Sequence, residues 1–322
     1  MFSQLVPGVR RLTADDLGIG VRAKAAAGHA SSAPDAPDIT AEHPLVQEII
    51  RLAGLFGGVI LSGPPGTSKS FFAAAAGQIM ADGDKERYEF VQFHASYQYE
   101  DFMLGFTPTE TGFTFKKGVF LGLVKRANLD PTHTYVLVID ELSRADVGRV
   151  FGEALTYVDR SKRELEFTIA NGSLTKVPGN FVILATMNPF DRGVDEVDAA
   201  FERRFAKMSM EPERDLLDDL LTDNEMDDAL KARVIGWFDR VNGYSARNPA
   251  AAVGHAYFSE ASDEASLQDL WNYQLKYVVQ RAFRRDENTR TELETGWEHI
   301  FTTAVPAKVP AAEQAPEPEA DQ

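Results

Sequence analysis

Cysteine is absent from the 322 residues, which excludes disulfide bridges and cysteine-ligated metal centres. Basic charge is scarce as well: 33 Lys and Arg stand against 49 Asp and Glu, a formal net charge of −16. Sequence-independent affinity for nucleic acid rests on a basic surface that releases counterions. Strong autonomous nucleic-acid binding is therefore not expected. No run approaches the roughly 20 apolar residues that a membrane span requires. The opening MFSQLVPGVRRLTADD is too polar and too broken for a signal peptide. A cytoplasmic protein without membrane association is the expectation.

Hydrophobic residues make up 44% of the chain, enough for one sizeable α/β domain and a smaller one. They are thin at both ends. Residues 1–40 are weakly patterned and close on His29-Ala-Ser-Ser-Ala-Pro-Asp-Ala-Pro-Asp38, which reads as a flexible N-terminal extension. Residues 303–322 alternate Ala, Pro and Glu and read as a disordered acidic tail.

Between them, short runs rich in β-branched and aromatic residues alternate with amphipathic stretches. The runs are Gly58–Leu61, Phe90–Phe93, Tyr135–Ile139 and Phe181–Ala185, each bounded by turn residues or a polar loop, as buried parallel strands are. Helical patterns follow at Ser70–Met80, Val119–Ala127, Asp146–Val158 and Val197–Arg204. This alternation predicts an α/β fold over residues 41–212, a parallel sheet sandwiched by helices. From Glu213 strand signals vanish. Leu216–Leu221, Asp228–Val241 and Ser266–Phe283 read as helices of a small all-helical lid domain over 213–302.

The strongest motif is Gly63-Pro64-Pro65-Gly66-Thr67-Ser68-Lys69-Ser70, set between a strand and a helix. The backbone N–H groups of such a loop surround phosphates, and the following helix points its positive end at them. Lys69 would reach the β- and γ-phosphates, and the Ser70 hydroxyl would ligate Mg²⁺. Ser68 departs from the usual pattern, standing where a second glycine is expected.

Val136-Leu-Val-Ile-Asp140-Glu141 runs four apolar residues into two carboxylates. A buried strand delivers Asp140 at the carboxyl edge of the sheet, where open α/β sheets place ligands. Asp140 would hold the Mg²⁺ shell and Glu141 would polarise the attacking water. The strand Phe181–Ala185 leads to Asn188, a neutral amide able to orient that water. Downstream, Asp198-Ala-Ala-Phe-Glu-Arg-Arg-Phe205 ends in paired arginines. Either they complement a helix C-terminus, or Arg203 or Arg204 enters a neighbouring subunit's site and stabilises developing phosphate charge. Sequence does not choose between the two arginines.

Taken in this order, the elements resemble the AAA+ ATPases, and the detail resembles the McrB-like, dynein-related group. The resemblance is carried by Phe90-Val-Gln-Phe-His-Ala-Ser-Tyr-Gln-Tyr-Glu-Asp-Phe-Met-Leu-Gly-Phe106, by Ile139-Asp-Glu-Leu-Ser-Arg-Ala-Asp146 with Val150-Phe-Gly-Glu153, by Ala185-Thr-Met-Asn-Pro-Phe-Asp-Arg192 and by Gly254-His-Ala-Tyr-Phe258. It covers roughly residues 45–285 and implies a ring, hexameric in the family, with active sites between subunits. It also implies that Asn188 is a sensor, that Asp191 and Arg192 continue its loop, and that His255 stands where a second sensor sits. A capping or packing histidine is the other reading of His255. Tyr97–Phe106 with Thr111–Phe115 either lines a central pore or packs as an aromatic hairpin on the core. The expected cofactors are ATP (or GTP) and Mg²⁺. Asn188-Pro-Phe-Asp191 departs from the Asn-Thr-Ala-Asp of the guanine-selective members, and no separate DNA-reading domain is apparent.

Three functions remain open at this point. The first is a motor that drives a separately encoded effector, such as the nuclease subunit of a restriction or phage-defence system. The second is a MoxR- or CbbQ-like chaperone that assembles a client or installs its cofactor. The third is a nucleotide-gated scaffold, which would not need the whole hydrolytic set.

Overall fold

The computed structural model describes residues 39–109, 112–189 and 199–302. The tail expected at 303–322, and all but the last two residues of the extension expected at 1–40, lie outside the described residues. Among the described residues, no helix is long and apolar enough to cross a membrane.

Helix α1 (Pro44–Phe56) starts on a proline behind the His43 cap and stops at Gly57, whose left-handed backbone closes it. Strand β1 (Gly58–Ser62) follows, then α2 (Lys69–Met80), β2 (Tyr88–Gln92), α3 (Tyr99–Phe102) and a hairpin of β3 (Leu104–Thr109) and β4 (Gly112–Lys117). Next come α4 (Val119–Leu129), β5 (Tyr135–Asp140), α5 (Val147–Phe151), α6 (Ala154–Tyr157) and the short pair β6 (Phe167–Thr168) and β7 (Leu174–Thr175). Strand β8 (Phe181–Met187), α7 (Ala199–Glu202) and β9 (Ala206–Ser209) complete the α/β part. Five helices follow: α8 (Arg214–Asp223), α9 (Asp228–Asn242), α10 (Glu264–Leu270), α11 (Lys276–Ala282) and α12 (Glu287–Glu298).

The main sheet has the order β2-β5-β8-β1-β9, and every pairing in it is parallel. Alternation along β5 explains why its sequence is uniformly apolar. Val136 and Val138 join Val59, Leu61, Val182 and Leu184 under α1 and α2. Leu137 and Ile139 face the other way, with Ile183, Phe102, Phe120 and Phe151. A sheet covered on both faces has no polar side to show in its sequence. Helices α8 to α12 form a core of their own around Phe238, Leu275 and Trp297. There the rings of Trp237 and Trp271 pack against Trp297, and the Trp237 indole donates to the Leu293 carbonyl at 3.0 Å.

Three sequence expectations change. The helix expected over Asp146–Val158 is two short helices, because Gly152 takes φ +50° between them and a Cβ there would meet the Tyr99 ring at 2.7 Å. The helix expected over Val197–Arg204 is described from Ala199 and ends at Glu202, so Arg203 and Arg204 sit in the turn before β9. The aromatic stretch divides: Phe102 is fully buried with Tyr97 against the core, whereas Phe106, Phe113 and Phe115 are 62%, 76% and 50% exposed on the hairpin. In the hairpin register Phe106 pairs with Phe115 and Pro108 with Phe113, so one face of the ribbon is apolar and open to solvent.

Candidate nucleotide-binding site

The loop from Gly63 to Ser68 joins the end of β1 to the start of α2, at the carboxyl edge of the sheet. Its first residue is pinned between neighbouring strands. Gly63 N–H donates to the Met187 carbonyl (3.2 Å), and Met210 N–H donates to the Ser62 carbonyl (2.8 Å). A Cβ on Gly63 would stand 2.0 Å from the Met210 carbonyl oxygen, so only glycine fits. Pro64 is buried and its carbonyl accepts from Thr67 Oγ1 (2.9 Å) and from Lys69 Nζ (2.6 Å). Pro65 is exposed at the turn. Gly66 adopts φ +76°. Ser68 also lies in the left-handed region, at φ 58°, a conformation that costs a side-chain-bearing residue about 1–2 kcal/mol. Burial lowers the Lys69 pKa, and the nearby carboxylates of Glu141 and Asp140 work against that shift. The lysine thus sits in the field of both acidic residues.

At the other end of the site Ser70 Oγ donates to Asp140 Oδ1 at 2.5 Å, and Thr186 Oγ1 donates to the same oxygen at 2.6 Å. Thr186 Oγ1 also accepts from the Glu141 backbone N–H at 3.1 Å. Asp140 ends β5 and is buried; Glu141 follows in a left-handed conformation (φ 56°) that turns the chain away from the strand. Five non-glycine residues have positive φ among the described residues, and two of them, Ser68 and Glu141, are in this site. Such strain persists where surrounding structure imposes it, commonly at functional sites. Arg144 Nε lies 3.5 Å from Glu141 Oε2.

The oxygen set at Ser70 and Asp140 suits a hard divalent cation. Mg²⁺ takes oxygen ligands, characteristically one or two carboxylates or hydroxyls together with phosphate oxygens. Asn188 is half-buried, directly after Met187, whose carbonyl anchors Gly63. The expected Asp191 and Arg192 lie outside the described residues. Arg203 is exposed. Arg204 is half-buried, with Nε and Nη1 sequestered and without a hydrogen-bond partner. Burial acts to raise the Asp159 pKa, but the Ser161 hydrogen bonds and, after them, the charges of Arg204 and Arg203 bring it below its ordinary value. Among the described residues neither arginine makes a hydrogen bond or ion pair to the loop, Asp140 or Glu141.

His255 belongs to the segment Gly254–Tyr257 that lies on the loop. Its Nε2 is 3.0 Å from Ser68 Oγ, and its Nδ1 accepts from the Glu213 N–H at 3.4 Å. Burial lowers its pKa to about 4, so the ring is neutral. With Nδ1 accepting, the proton resides on Nε2 and is donated to Ser68. Both ring nitrogens are thereby used within the protein. Beside this contact opens a cavity of about 700 Å³ bordered by Gly66, Tyr257, Glu260, Asp269 and Tyr273. Its lining has two carboxylates and no basic side chain, so no charge there complements a triphosphate.

The sequence motifs passed over Thr186. A threonine inside an apolar strand looks like one more β-branched residue. The only available signal was its place two residues before Asn188, on the strand that pairs with β5.

A glycine-pinned loop at a helix start, with its serine on a buried strand-end aspartate and its lysine in the field of that carboxylate, has the arrangement of a P-loop nucleotide site. Residues 58–205 match the AAA domain of the dynein-related subfamily. Over 183 residues, 54% of this chain and 40% of the relative, the sequence is 34% identical to the EcoKMcrB subunit of the type IV methyl-directed restriction enzyme of Escherichia coli K12. It is 27% identical over 197 residues to the YdiS component of the type II restriction enzyme BsuMI of Bacillus subtilis 168, covering 48% of this chain and 57% of that one. Residues 58–205 thus form an AAA domain of the dynein-related subfamily, and the chain is similar there to McrB-like AAA+ ATPases. It spans only 40% and 57% of the length of these two relatives. A solved structure of a Thermotoga maritima RuvB mutant is 15% identical and covers 78% of this chain and 67% of its own, with a TM-score of 0.39, too low to add to the assignment.

Proposed function

We propose that this protein is a nucleoside-triphosphatase motor that hydrolyses ATP (or GTP) at the interfaces of a ring and uses the cycle to drive a separately encoded partner. One observation carries the reading: Ser70, Asp140 and Thr186 meet in one hydrogen-bonded cluster with the Glu141 backbone, within the electrostatic reach of Lys69. In this reading Gly63–Ser70 cradle the triphosphate, and Ser70 and Asp140 would hold Mg²⁺. The cation, when bound, neutralises charge on the β- and γ-phosphate oxygens. Lys69 exchanges the Pro64 carbonyl for phosphate oxygens. Glu141 takes the proton of the attacking water, and Asn188 orients that water.

Residues 41–212 then form the catalytic core and residues 213–302 a lid over it. Arg203, exposed and without an ion-pair partner among the described residues, is the side chain assigned to the neighbouring subunit's site. One observation favours a restriction-type partner, such as a nuclease subunit, over a chaperone's client: both relatives are parts of restriction enzymes. The apolar, exposed face of the β3–β4 hairpin would serve a protein contact of either kind.

The test is side-by-side hydrolysis of MgATP and MgGTP with Glu141→Gln as the control. The parent protein should turn over at least one nucleotide. The variant should retain it, with turnover reduced at least about a hundredfold. A parent protein that binds neither nucleotide, or a variant that hydrolyses at the parental rate, refutes the assignment.

A further inference from the structure

The one departure from the phosphate-loop pattern, Ser68, is the residue that His255 grips across 187 positions of sequence. We propose that Ser68 and His255 form a latch through which the seating of the helical segment sets the phosphate loop, making His255 a positioning residue and not a phosphate ligand. The proposal rests on reading Gly63–Ser70 as the triphosphate site.

The geometry has three parts. First, the backbones touch: a Cβ on Gly254 would lie 2.0 Å from the Gly66 carbonyl carbon and oxygen, and Ala256 N–H donates to the Gly66 carbonyl at 2.9 Å. The segment therefore lies against the carbonyl side of the loop, leaving the N–H side to phosphate. Second, Ser68 is held at φ 58°, where glycine would sit without strain. The His255 Nε2–H bond to its hydroxyl is a tertiary contact that holds this conformation. Third, the opposite nitrogen accepts from Glu213 N–H, in the residue that leads into α8.

A rigid ring thus ties the loop to the point where the chain enters the helical part. If α8 moves relative to β1 and α2, one of the two ring bonds must lengthen. Loss of the Ser68 bond leaves a strained serine unsupported beside Lys69. Glycine at position 68 would need no such support, so the serine and its histidine partner belong together.

The experiment uses the full chain and two readouts. Equilibrium binding of a fluorescent N-methylanthraniloyl-ATP with Mg²⁺ is measured for Ser68→Gly, His255→Ala, His255→Gln and Ser68→Gly with His255→Ala. Amide hydrogen exchange of the Gly63–Ser70 segment is measured without nucleotide. His255→Ala should weaken binding about three- to tenfold, the scale of one net hydrogen bond, and speed loop exchange. His255→Gln, which keeps a donor at the Nε2 position but has no acceptor in place of Nδ1, should restore both in part. In the Ser68→Gly background His255→Ala should change neither. An undiminished effect of His255→Ala in that background overturns the latch, since the histidine would then act elsewhere. So does unchanged loop exchange in His255→Ala itself. A parent protein that binds no nucleotide fails the triphosphatase reading instead, and the exchange readout still decides the latch.

Discussion

Ser70 Oγ and Asp140 Oδ1 are 2.5 Å apart although seventy residues separate them in sequence. The serine is fixed in the first turn of α2 and the aspartate ends a fully buried strand, so the pair is set by the sheet and not by a flexible loop. A hydroxyl and a carboxylate at this distance can open around one small cation with little rearrangement. Asp140→Asn removes the charge that would hold the cation. It should lower Mg²⁺-dependent turnover by at least about tenfold, and raising Mg²⁺ should recover part of the loss. Chelation of Mg²⁺ should abolish turnover in the parent protein. A turnover titration against free Mg²⁺ checks both, and an Asp140→Asn curve that overlays the parental one removes Asp140 from the cation's shell.

Thr186 joins Asp140 to the first residue beyond its strand: one hydroxyl donates to the carboxylate and accepts from the Glu141 N–H. Thr186→Val preserves shape and loses both bonds. Leaving these groups unpaired should cost about 1–3 kcal/mol, read as a lower midpoint in urea unfolding. Turnover should fall about 10–100-fold with less change in nucleotide affinity, because the phosphate loop itself is untouched. Unchanged turnover would make Thr186 a packing residue only.

The candidate site was legible in sequence where type, spacing and element coincide. Lys69, Ser70, Asp140 and Glu141 each stand at the joint of an apolar run and a polar turn, and that joint is what the fold brings together. Thr186 was hidden because a strand buried on both faces offers no alternation by which a functional threonine could stand out. Strand β9, Ala206–Ser209, is too short to produce an apolar run and owes its place to pairing with β1. The break at Gly152 arises from a backbone conformation that its side-chain pattern, still helical on either side, does not signal. The contact of His255 with Ser68 is tertiary, and nothing local to either residue encodes it.

The hairpin aromatics offer a contrast of the same residue type in two environments. Phe102 is fully buried and touches the rings of Phe93, Phe120 and Phe151. Phe106, Phe113 and Phe115 are exposed, with only the Phe106–Phe115 ring pair at 4.9 Å between them. Phe102→Ala should therefore cost about 3–5 kcal/mol. Serine at positions 106, 113 and 115 together should change stability by no more than about 1 kcal/mol and leave basal turnover intact. Thermal melts and steady-state hydrolysis check this. A large loss of stability in the triple variant would mean that the hairpin face is part of the core.

Arg203 is exposed in the turn after α7, whereas Nε and Nη1 of Arg204 are sequestered. If Arg203 serves a neighbouring subunit, its loss and the loss of Glu141 damage different halves of each shared site. Arg203→Ala alone should bind nucleotide with near-parental affinity and lose most turnover, on the scale of about 10³-fold for such an arginine. Mixing inactive Arg203→Ala chains with inactive Glu141→Gln chains should then regenerate activity. In an equimolar, randomly assembled ring with head-to-tail interfaces, roughly a quarter of the interfaces pair an intact Glu141 with an intact Arg203. Turnover of the mixture, measured against the separate variants at the same total concentration, should rise accordingly and fall again on dilution below the assembly range. If the mixture is as inactive as its components under conditions where size measurement shows co-assembly, Arg203 acts within its own chain and the shared-site arrangement is wrong.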